Sequence, residues 1–317
     1  MRIVIAGGSG FLGQALATAC AGDGDDVVIL TRSLAPGATA PADPGGPRMT
    51  LAGWTPDGTA GSWRAALEGA QAVVNLAGAG IADHRWTTRR KAMLRDSRMR
   101  ATQSLVAALG TLEARPSVLV SASAVGYYGP SGDEDRIESS PPGDDFLARL
   151  CAAWESEARL AETLSIRVSL IRTGIVLDRE AGALPPMLVP FRFFAGGRIG
   201  SGRQFMSWIH RLDWVEMVRW VLATPAAAGP INATAPEPVR NRDFAQAVGR
   251  TLGRPALVPA PALAVKLLIG EMAGPMVLAG QRVLPARALA LGYRFRFAGL
   301  DAALEDILGS EPRPPRR

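Results

Sequence analysis

The sequence predicts an α/β fold, a doubly wound parallel sheet with a smaller C-terminal substrate subdomain. Three observations support this prediction. The chain opens with a strand, a glycine-rich turn, a helix and a second strand within about 30 residues, as a β-α-β unit requires. Short apolar runs then recur with helical patterns between them. With 317 residues, 48% of them hydrophobic, the chain can bury a sizeable core.

The first element is a short β-branched run at Arg2–Ala6, which predicts a buried strand. Three glycines follow at the spacing Gly-x-x-Gly-x-x-Gly: Gly7, Gly10 and Gly13. Apolar residues at helical spacing predict a helix over 14–20, and a second apolar run predicts a strand over 27–30.

Each glycine of this turn has a distinct role in the interpretation. Gly7 lets the backbone leave the strand sharply, and Gly10 removes a side chain where a pyrophosphate meets main-chain N–H groups. Gly13 allows the helix to pack closely on the sheet. A glycine-rich turn without a ligand is the alternative, but the order of elements favours a dinucleotide site on a Rossmann-type sheet. The predicted ligands from this stretch are Gly7, Ser9, Gly10, Phe11, Leu12 and Gly13.

The residues after the second strand select the dinucleotide. An acidic residue there would bind the ribose 2′-hydroxyl of NAD, whereas an arginine suits the 2′-phosphate of NADP. The chain has Thr31, Arg32 and Ser33 at this point and no carboxylate before Asp43. A guanidinium with two hydroxyls predicts NADP (NADPH) as the cofactor, with Thr31 and Arg32 as ligands. A solvated loop arginine is the alternative.

The remaining elements follow in order. Residues 34–48 are expected to be an exposed connection and the tail 311–317 to be frayed. Strands are predicted over 49–51, 72–76, 118–120 and 166–177 and from residue 230, and helices over 86–109, 212–222 and 244–252. We expect an NADP-binding Rossmann domain over 1–177, completed by about 205–235, and a substrate or cap subdomain over 178–204 and 236–317.

Further cofactor ligands are predicted beside the middle of the sheet. The strand over 72–76 ends in small residues that suit a close cofactor approach, with Leu76, Ala77 and Gly78 as ligands. Arg98 shares its helix face with apolar residues, so it should point inward and need an anion, either the cofactor or a structural carboxylate. Trp54 is expected either near the adenine or in the core.

Composition limits the partners. The net charge is +6 and the pI about 10.1, but acids alternate with the basic residues and no aromatic-basic platform occurs, which argues against nucleic acid. Cys20 and Cys151 lie in apolar helical patterns, which fits a reduced cytoplasmic protein. The start lacks a signal-peptide pattern, and the apolar stretch 256–278 is interrupted by prolines and charges, so we expect no membrane partner.

Two further groups concern substrate and metal. His210 and Asp213 lie three residues apart with no third ligand at metal spacing, so no metal is expected. We interpret Asp213 as a first-turn helix cap and His210 as a satisfied loop residue. The expected partner is a small-molecule substrate, and three arginines that would line its pocket suggest an acidic one: Arg192, Arg198 and Arg203.

The fifth strand continues into Ser121-Ala-Ser123 and Tyr127-Tyr128-Gly129, where the sequence resembles the extended short-chain dehydrogenase/reductase superfamily. The late loop 196–202, the run 206–210 and the C-terminal run 280–293 extend the similarity over essentially the whole chain. The pattern is that of an atypical branch, the NAD-dependent epimerase/dehydratase-like family with a C-terminal domain of unknown function. The resemblance implies that Arg172 and Val176 touch the nicotinamide side of the cofactor.

In that superfamily a tyrosine acid/base is assisted by a lysine four residues later. This chain has lysines only at Lys91 and Lys266, neither near a tyrosine, so the Tyr-x-x-x-Lys dyad is absent. Ser123 is left to hold a substrate oxygen and Tyr128, or its neighbour Tyr127, to supply a proton; alternatively, the tyrosines only pack. The sequence therefore predicts an NADP(H)-binding oxidoreductase or epimerase-like enzyme, with a non-catalytic NADP(H) sensor or interaction protein as the alternative.

Overall fold

The computed structural model of the chain describes residues 1–42 and 49–309. The strands are β1 (Arg2–Ala6), β2 (Asp26–Thr31), β3 (Thr39–Pro41), β4 (Met49–Gly53), β5 (Ala72–Asn75), β6 (Val118–Ala124), β7 (Asp135–Arg136), β8 (Arg167–Thr173), β9 (Ile175–Leu177), β10 (Phe205–Met206), β11 (Trp208–His210), β12 (Gly229–Ala233), β13 (Val239–Arg240) and β14 (Arg282–Val283). The helices are α1 (Phe11–Gly22), α2 (Thr88–Gly110), α3 (Phe146–Arg159), α4 (Leu184–Arg192), α5 (Arg211–Ala223), α6 (Asn241–Leu252), α7 (Ala262–Ile269), α8 (Ala286–Ala290) and α9 (Leu300–Leu308).

The main sheet has the order β12-β8-β6-β5-β1-β2-β4-β3. β1 pairs in parallel with β2 on one side and β5 on the other, so the chain winds outward from β1 in both directions. β4 and β6 continue these two directions in parallel, and β3 adds an antiparallel edge. The predicted Rossmann-type, doubly wound α/β fold is therefore confirmed.

The described chain forms two compact units. The first comprises Met1–Ser123, Leu150–Arg172 and Val215–Ile231. The second comprises Ala124–Arg149, Thr173–Trp214 and Asn232–Arg317, of which residues up to 309 are described. The predicted NADP-binding domain (1–177 with 205–235) and substrate subdomain (178–204 with 236–317) have other boundaries than these two units. That assignment of nucleotide and substrate binding stays a prediction.

The first unit is built on the main sheet. Apolar residues of adjacent strands, among them Val4, Val28 and Val73, are almost completely buried in its core. Trp54 is buried after β4 and packs edge-on against Trp63, with ring centroids 5.4 Å apart. Of the two expectations for Trp54, the structure displays core packing.

The second unit contains small two-stranded sheets and a separate core. β9 pairs with β11 in parallel, β7 with β14 in parallel, and β10 with β13 in antiparallel orientation. Side chains of α4, α6 and α9 bury one another in its core, among them Leu188, Phe244 and Leu304. Within the described residues no helix is both long enough and apolar enough to cross a bilayer.

Several predicted boundaries were wrong. The single strand expected over 166–177 is split into β8 and β9 at Gly174, whose missing Cβ would lie 2.4 Å from the Ser207 carbonyl oxygen. The expected connection 34–48 contains β3, although its described residues are largely exposed, and 43–48 lie outside the described residues. α6 ends at Leu252 as predicted, followed by Gly253 with φ +63°, but it begins at Asn241, three residues before the predicted start. The tail 311–317 also lies outside the described residues.

Candidate cofactor site

The carboxyl ends of four adjacent strands form one edge in the first unit. Ala6 of β1 is in register with Leu30 of β2 and Asn75 of β5, and Asn75 is in register with Ser121 of β6. The glycine turn, the segment from Thr31 and the segment from Leu76 all begin at this edge. Ligands predicted from distant parts of the sequence therefore converge, as expected for the carboxyl edge of a parallel sheet.

The glycine turn after β1 leaves no room for a side chain at two of its three glycines. Gly7 has φ +80°, and a Cβ there would lie 2.7 Å from the carbonyl carbon and oxygen of Leu76. A Cβ on Gly13 would lie 2.3 Å from the Gly7 carbonyl oxygen, so the helix packs directly on the turn. A Cβ on Gly10 would meet only the Gly7 carbonyl oxygen, at 3.3 Å. Gly7 and Gly13 thus close the turn, while Gly10 faces open space.

The N-terminus of α1 has the properties of an anion site. Gly10 precedes it with extended backbone and no capping side chain, and the first turn contains no acidic residue. The first N–H groups of a helix lack intrahelical acceptors and carry the positive end of its dipole. The amides of Phe11, Leu12 and Gly13 therefore fit a pyrophosphate, with Ser9 exposed beside them.

The segment after β2 supplies a free cation. Arg32 is exposed and forms no ion pair with a carboxylate of the described chain. The hydroxyls of Thr31 and Ser33 lie 2.7 Å apart, and the Ser33 amide also donates to the Thr31 hydroxyl. A guanidinium beside two hydroxyls fits a phosphate monoester, which supports the predicted 2′-phosphate contact.

The end of β5 is held by a buried hydrogen-bond network. Asn75 donates through Nδ2 to the Thr102 hydroxyl at 2.9 Å and accepts from the Ala77 amide at 3.2 Å. The Trp154 indole donates to the same hydroxyl at 2.9 Å. The backbone at Leu76 and Ala77, where cofactor contact is predicted, is thereby fixed to two helices.

Arg98 lies against this strand end. A Cβ on Gly78 would lie 3.1 Å from Arg98 Cγ, and the guanidinium carbon stacks 5.2 Å from the Trp154 ring centre. Nη1 donates to the Leu94 carbonyl at 3.0 Å, and burial lowers the pKa of the guanidinium. No carboxylate of the described residues forms an ion pair with Arg98. The described chain therefore offers no structural carboxylate as the alternative anion. Its role as a cofactor ligand stays a prediction.

Ser123 and Arg172 meet at a carboxylate that the sequence interpretation missed. The Ser123 hydroxyl donates to Glu155 Oε1 at 2.7 Å. Arg172 donates to Glu155 through Nε and Nη2, each at 2.8 Å, and all three side chains are almost fully buried. The predicted substrate contact of Ser123 and cofactor contact of Arg172 both stay predictions, and the contacts that the structure displays bind them to Glu155.

A periodic signal for Glu155 was present in the sequence. On α3 the residues Ala148, Cys151, Glu155 and Ala158 follow helical spacing and are all buried. A carboxylate on an otherwise apolar helix face predicts a buried partner. The partner itself, Arg172, comes from a strand 17 residues later and was not evident from local pattern.

The remaining predicted nicotinamide-side and catalytic residues lie in the second unit. Val176 is buried in β9. Tyr128 is also buried, and its hydroxyl donates to Asn232 Oδ1 at 2.7 Å. Tyr127 is partly buried, with its ring edge-on to that of Tyr128 at 5.3 Å. The hydrogen bond of the Tyr128 hydroxyl is thus accepted within the protein.

The capping role predicted for Asp213 belongs to His210. Asp213 does not cap α5; its carboxylate accepts the amides of Arg296 and Phe297 at 2.7 and 2.9 Å. His210 is buried at the end of β11, and its Nδ1 accepts the Leu212 amide at 3.0 Å, which caps the helix instead. Within the described residues no three His, Cys, Asp or Glu side chains form a group that could hold a metal ion. The three arginines predicted to line the pocket of an acidic substrate are exposed, and that pocket stays a prediction: Arg192, Arg198 and Arg203.

Comparison with protein families gives two matches. The model of the NAD dependent epimerase/dehydratase family matches residues 3–174, and that of a domain of unknown function (DUF1731) matches residues 260–307. Epimerase family protein SDR39U1 homolog, chloroplastic, from Arabidopsis thaliana is 40% identical, covering 97% of this chain and 87% of the relative. Epimerase family protein SDR39U1 from Bos taurus is 38% identical, covering 97% of this chain and 100% of the relative.

Solved structures of epimerases and of an epimerase family protein are also similar to this chain. Human epimerase family protein SDR39U1 (isoform 2), crystallised with NADPH, is 36% identical with a TM-score of 0.87, covering 98% of this chain and 100% of that chain. A nucleoside-diphosphate sugar epimerase from Corynebacterium glutamicum is 32% identical with a TM-score of 0.78, covering 98% of this chain and 59% of that chain. A UDP-galactose 4-epimerase, at 20% identity and a TM-score of 0.71, is similar in fold.

Proposed function

The chain belongs to the NAD dependent epimerase/dehydratase family, and on that premise we propose that it is an NADP(H)-binding oxidoreductase or epimerase-like enzyme of the atypical extended short-chain dehydrogenase class. The family membership confirms the resemblance predicted from the sequence. The proposed enzyme acts without the Tyr-x-x-x-Lys dyad, which is absent from the sequence.

The glycine turn with its uncapped helix carries the proposal. Gly7 lets the turn lie against the Leu76 backbone, and Gly13 lets α1 pack on the turn. The first amides of α1 have neither a capping side chain nor an acidic residue in the first turn. Such an N-terminus stabilises a bound diphosphate through N–H groups and the helix dipole. Arg32 would then bind the 2′-phosphate, which gives the preference for NADP over NAD. The NADPH in the crystal structure of the human relative supports this choice.

The chemistry follows from the cofactor and the side chains that remain. Bound NADPH supplies a hydride, so the chain must orient a substrate and manage one proton. Because the Ser123 hydroxyl donates its hydrogen bond to Glu155, its oxygen can still accept a hydrogen bond from a substrate hydroxyl. Tyr128 remains the predicted proton donor, although its hydroxyl must first leave Asn232, and Tyr127 is the neighbouring alternative.

The substrate and compartment complete the proposal. We expect a small-molecule substrate, with an acidic group as the weaker expectation, and neither a nucleic-acid nor a metal requirement. Cys20 and Cys151 are buried and form no disulfide with each other, and burial raises the pKa of the Cys20 thiol to about 11, which keeps it protonated and unreactive. Buried cysteines without a disulfide fit a reducing compartment, and we propose that the protein is cytoplasmic.

A second candidate is a non-catalytic NADP(H) sensor or interaction protein. The observation that favours it is that both hydroxyls predicted to act on substrate already have internal acceptors, Glu155 for Ser123 and Asn232 for Tyr128. Both candidates require nucleotide binding, so they differ only in turnover.

The test has two stages. First, NADPH is titrated into the purified protein, and absence of a saturable signal at millimolar nucleotide would contradict both candidates. Second, NADPH consumption is followed over a panel of carbonyl compounds and nucleotide sugars. Turnover of any compound supports the enzyme, and saturable binding with no turnover across the panel supports the sensor.

A further inference from the structure

Exposed apolar side chains are concentrated in one part of the second unit. Most large hydrophobic residues that the structure leaves exposed come from two short segments, 189–194 and 257–268. Leu257 is 84% exposed, Phe193 77% and Leu268 75%. We refer to the following set as the apolar face: Val189, Phe193, Phe194, Leu257, Val258, Leu263, Leu267 and Leu268.

Backbone pairing joins the two segments into one surface. The Val258 amide donates to the Gly196 carbonyl at 3.0 Å, and the Ala260 amide donates to the Arg198 carbonyl at 2.9 Å. Ile199 and Ala260 form a parallel bridge, and α7 begins two residues later. None of the eight residues of α7 is buried, although seven of them are apolar. A helix of this composition normally packs against a partner.

Phe194 is held outward at a conformational cost. Its φ is +58°, in the left-handed region that a bulky side chain rarely adopts. The residue is 57% exposed, with the Arg254 guanidinium carbon 4.0 Å from the ring centroid. Strain of this kind is retained where the surrounding structure requires it, and here it keeps an aromatic ring on the surface.

The charges within the two segments that form the apolar face have one sign, and the nearest acid in sequence, Glu271, follows the second segment. Residues 189–203 and 253–270 contain basic residues and no acidic one. Four of the basic side chains adjoin the apolar face and form no ion pair with a carboxylate of the described chain: Arg192, Arg198, Arg254 and Lys266. An occupant of this surface should therefore be apolar at its centre and anionic at its edge.

The size and charge of the face distinguish between occupants. Eight large apolar side chains at these exposures present on the order of 900 Å², above the roughly 300–600 Å² of the largest patch on a typical monomer. One partner of a standard interface buries about 800 Å², so the area alone would suit a second copy. A second copy facing the same surface, however, would bring two sets of unpaired cations together, which is unfavourable.

We propose that the apolar face binds the surface of an anionic lipid bilayer. The leucines and phenylalanines would enter the boundary between headgroups and acyl chains, while Arg192, Arg198, Arg254 and Lys266 contact the lipid phosphates. No spanning helix is needed for such contact. The proposal reverses the expectation of no membrane partner, which considered only spanning segments and leaders.

The experiment uses the full chain and vesicle flotation. Vesicles of phosphatidylcholine alone are compared with vesicles in which a third of the lipid is phosphatidylglycerol. The variants are Leu263→Gln/Leu267→Gln in α7 and Arg192→Gln/Lys266→Gln at the edge. The matched controls are Leu160→Gln, a leucine 51% exposed in the first unit, and Arg64→Gln, an exposed arginine of the same unit. NADPH binding is measured for every variant to show that it folds.

We expect the protein to float with the anionic vesicles and not with phosphatidylcholine alone. The leucine pair should lower partitioning at least about tenfold, and the basic pair about 25-fold, at about fivefold for each charge near the surface. High salt should release the protein, and the controls should bind as the natural chain does.

Two results would overturn the proposal. One is the absence of flotation with anionic vesicles, or flotation that the leucine pair leaves unchanged. The other is a concentration-dependent dimer, seen by sedimentation, that the leucine pair dissociates while no vesicle binding occurs, since that result would identify a second copy as the occupant.

Discussion

The Tyr128 hydroxyl donates a hydrogen bond to Asn232 Oδ1 at 2.7 Å, in a buried part of the second unit. The Asn232 amide is fixed in turn, because Nδ2 donates to the Leu284 carbonyl at 2.9 Å and the backbone amide donates to Glu138 at 3.0 Å. The tyrosine that sequence reasoning selects as a proton donor is therefore also a structural donor, and the two roles can be separated by experiment.

Tyr128→Phe should lower the free energy of unfolding by about 1–3 kcal/mol, because it leaves the Asn232 carbonyl oxygen buried without a donor. Urea unfolding measures this loss, and NADPH affinity should not change. Tyr293→Phe is the matched control, since its hydroxyl donates to the Asp213 carbonyl at 2.9 Å and should show a loss of similar size. Unchanged stability combined with lost turnover would instead identify Tyr128 as the proton donor.

Glu155→Gln should destabilise the protein by about 3–5 kcal/mol, because it removes the negative charge that the buried Arg172 guanidinium contacts through Nε and Nη2. Thermal or urea unfolding measures the effect. Glu162→Gln is the control: this residue forms an exposed pair with Arg159 at 3.3 Å, and its loss should cost less than about 1 kcal/mol. Equal effects in both variants would show that burial of the pair does not matter.

Gly7→Ala should abolish NADPH binding and lower the free energy of unfolding by about 2–4 kcal/mol, since the new Cβ meets the Leu76 backbone at 2.7 Å. Gly24→Ala separates the two causes. Gly24 has φ +89° but nothing within 4 Å of its Cβ position, so this variant suffers conformational strain alone, about 1 kcal/mol, and should bind NADPH normally. A Gly7 variant that behaves like the Gly24 variant would contradict the proposed geometry of the turn.

Arg32→Ala should weaken NADPH binding by about 10- to 100-fold and leave NADH binding nearly unchanged, because only NADPH has the 2′-phosphate. Fluorescence or calorimetric titration with both nucleotides gives the ratio. Arg64→Ala removes another exposed arginine of the first unit and should leave the ratio as it is. A ratio that Arg32→Ala does not alter would remove the argument for NADP.

The stability should depend on His210 near pH 6. Burial lowers the pKa of this imidazole below its ordinary value of 6.5, an effect that Asp306, with a carboxylate oxygen 3.2 Å from Nε2, opposes only in part. The unfolded chain then binds more protons than the folded chain. The contribution of His210 to the free energy of unfolding is therefore fully present above about pH 6.5 and is lost as the pH falls below it. His210→Gln should lose this slope between about pH 7.5 and 5.5, whereas His84→Gln, on an exposed loop, should keep it. A slope that persists in the His210 variant would contradict the assignment.

Local patterns predicted much of the fold. β1, β2 and β5 lie close to where β-branched runs placed them, and α1, α2 and α5 where helical spacing placed them. The clearest error occurred at Gly174, where a close approach to the Ser207 carbonyl oxygen separates β8 from β9. Such contacts involve residues far apart in sequence, so a local pattern does not contain them.

The candidate site also contains features that the sequence predicted and features that it did not. The glycine spacing and the identity of Arg32 were sufficient to predict a phosphate-binding turn and a free cation, because each depends on residues adjacent in sequence. The partners of Ser123 and Tyr128 were not predictable, since Glu155 and Asn232 come from 32 and 104 residues further along the chain.

What the sequence by itself determined is the order of most strands of the main sheet and of α1, α2, α5 and α6, together with the glycine turn, the absence of the Tyr-x-x-x-Lys dyad and the family. Only the tertiary structure decided which polar side chains satisfy one another and which remain open to a ligand. The physical reason is that a buried hydrogen bond or ion pair depends on distance in space, whereas periodicity and motif spacing record only distance along the chain.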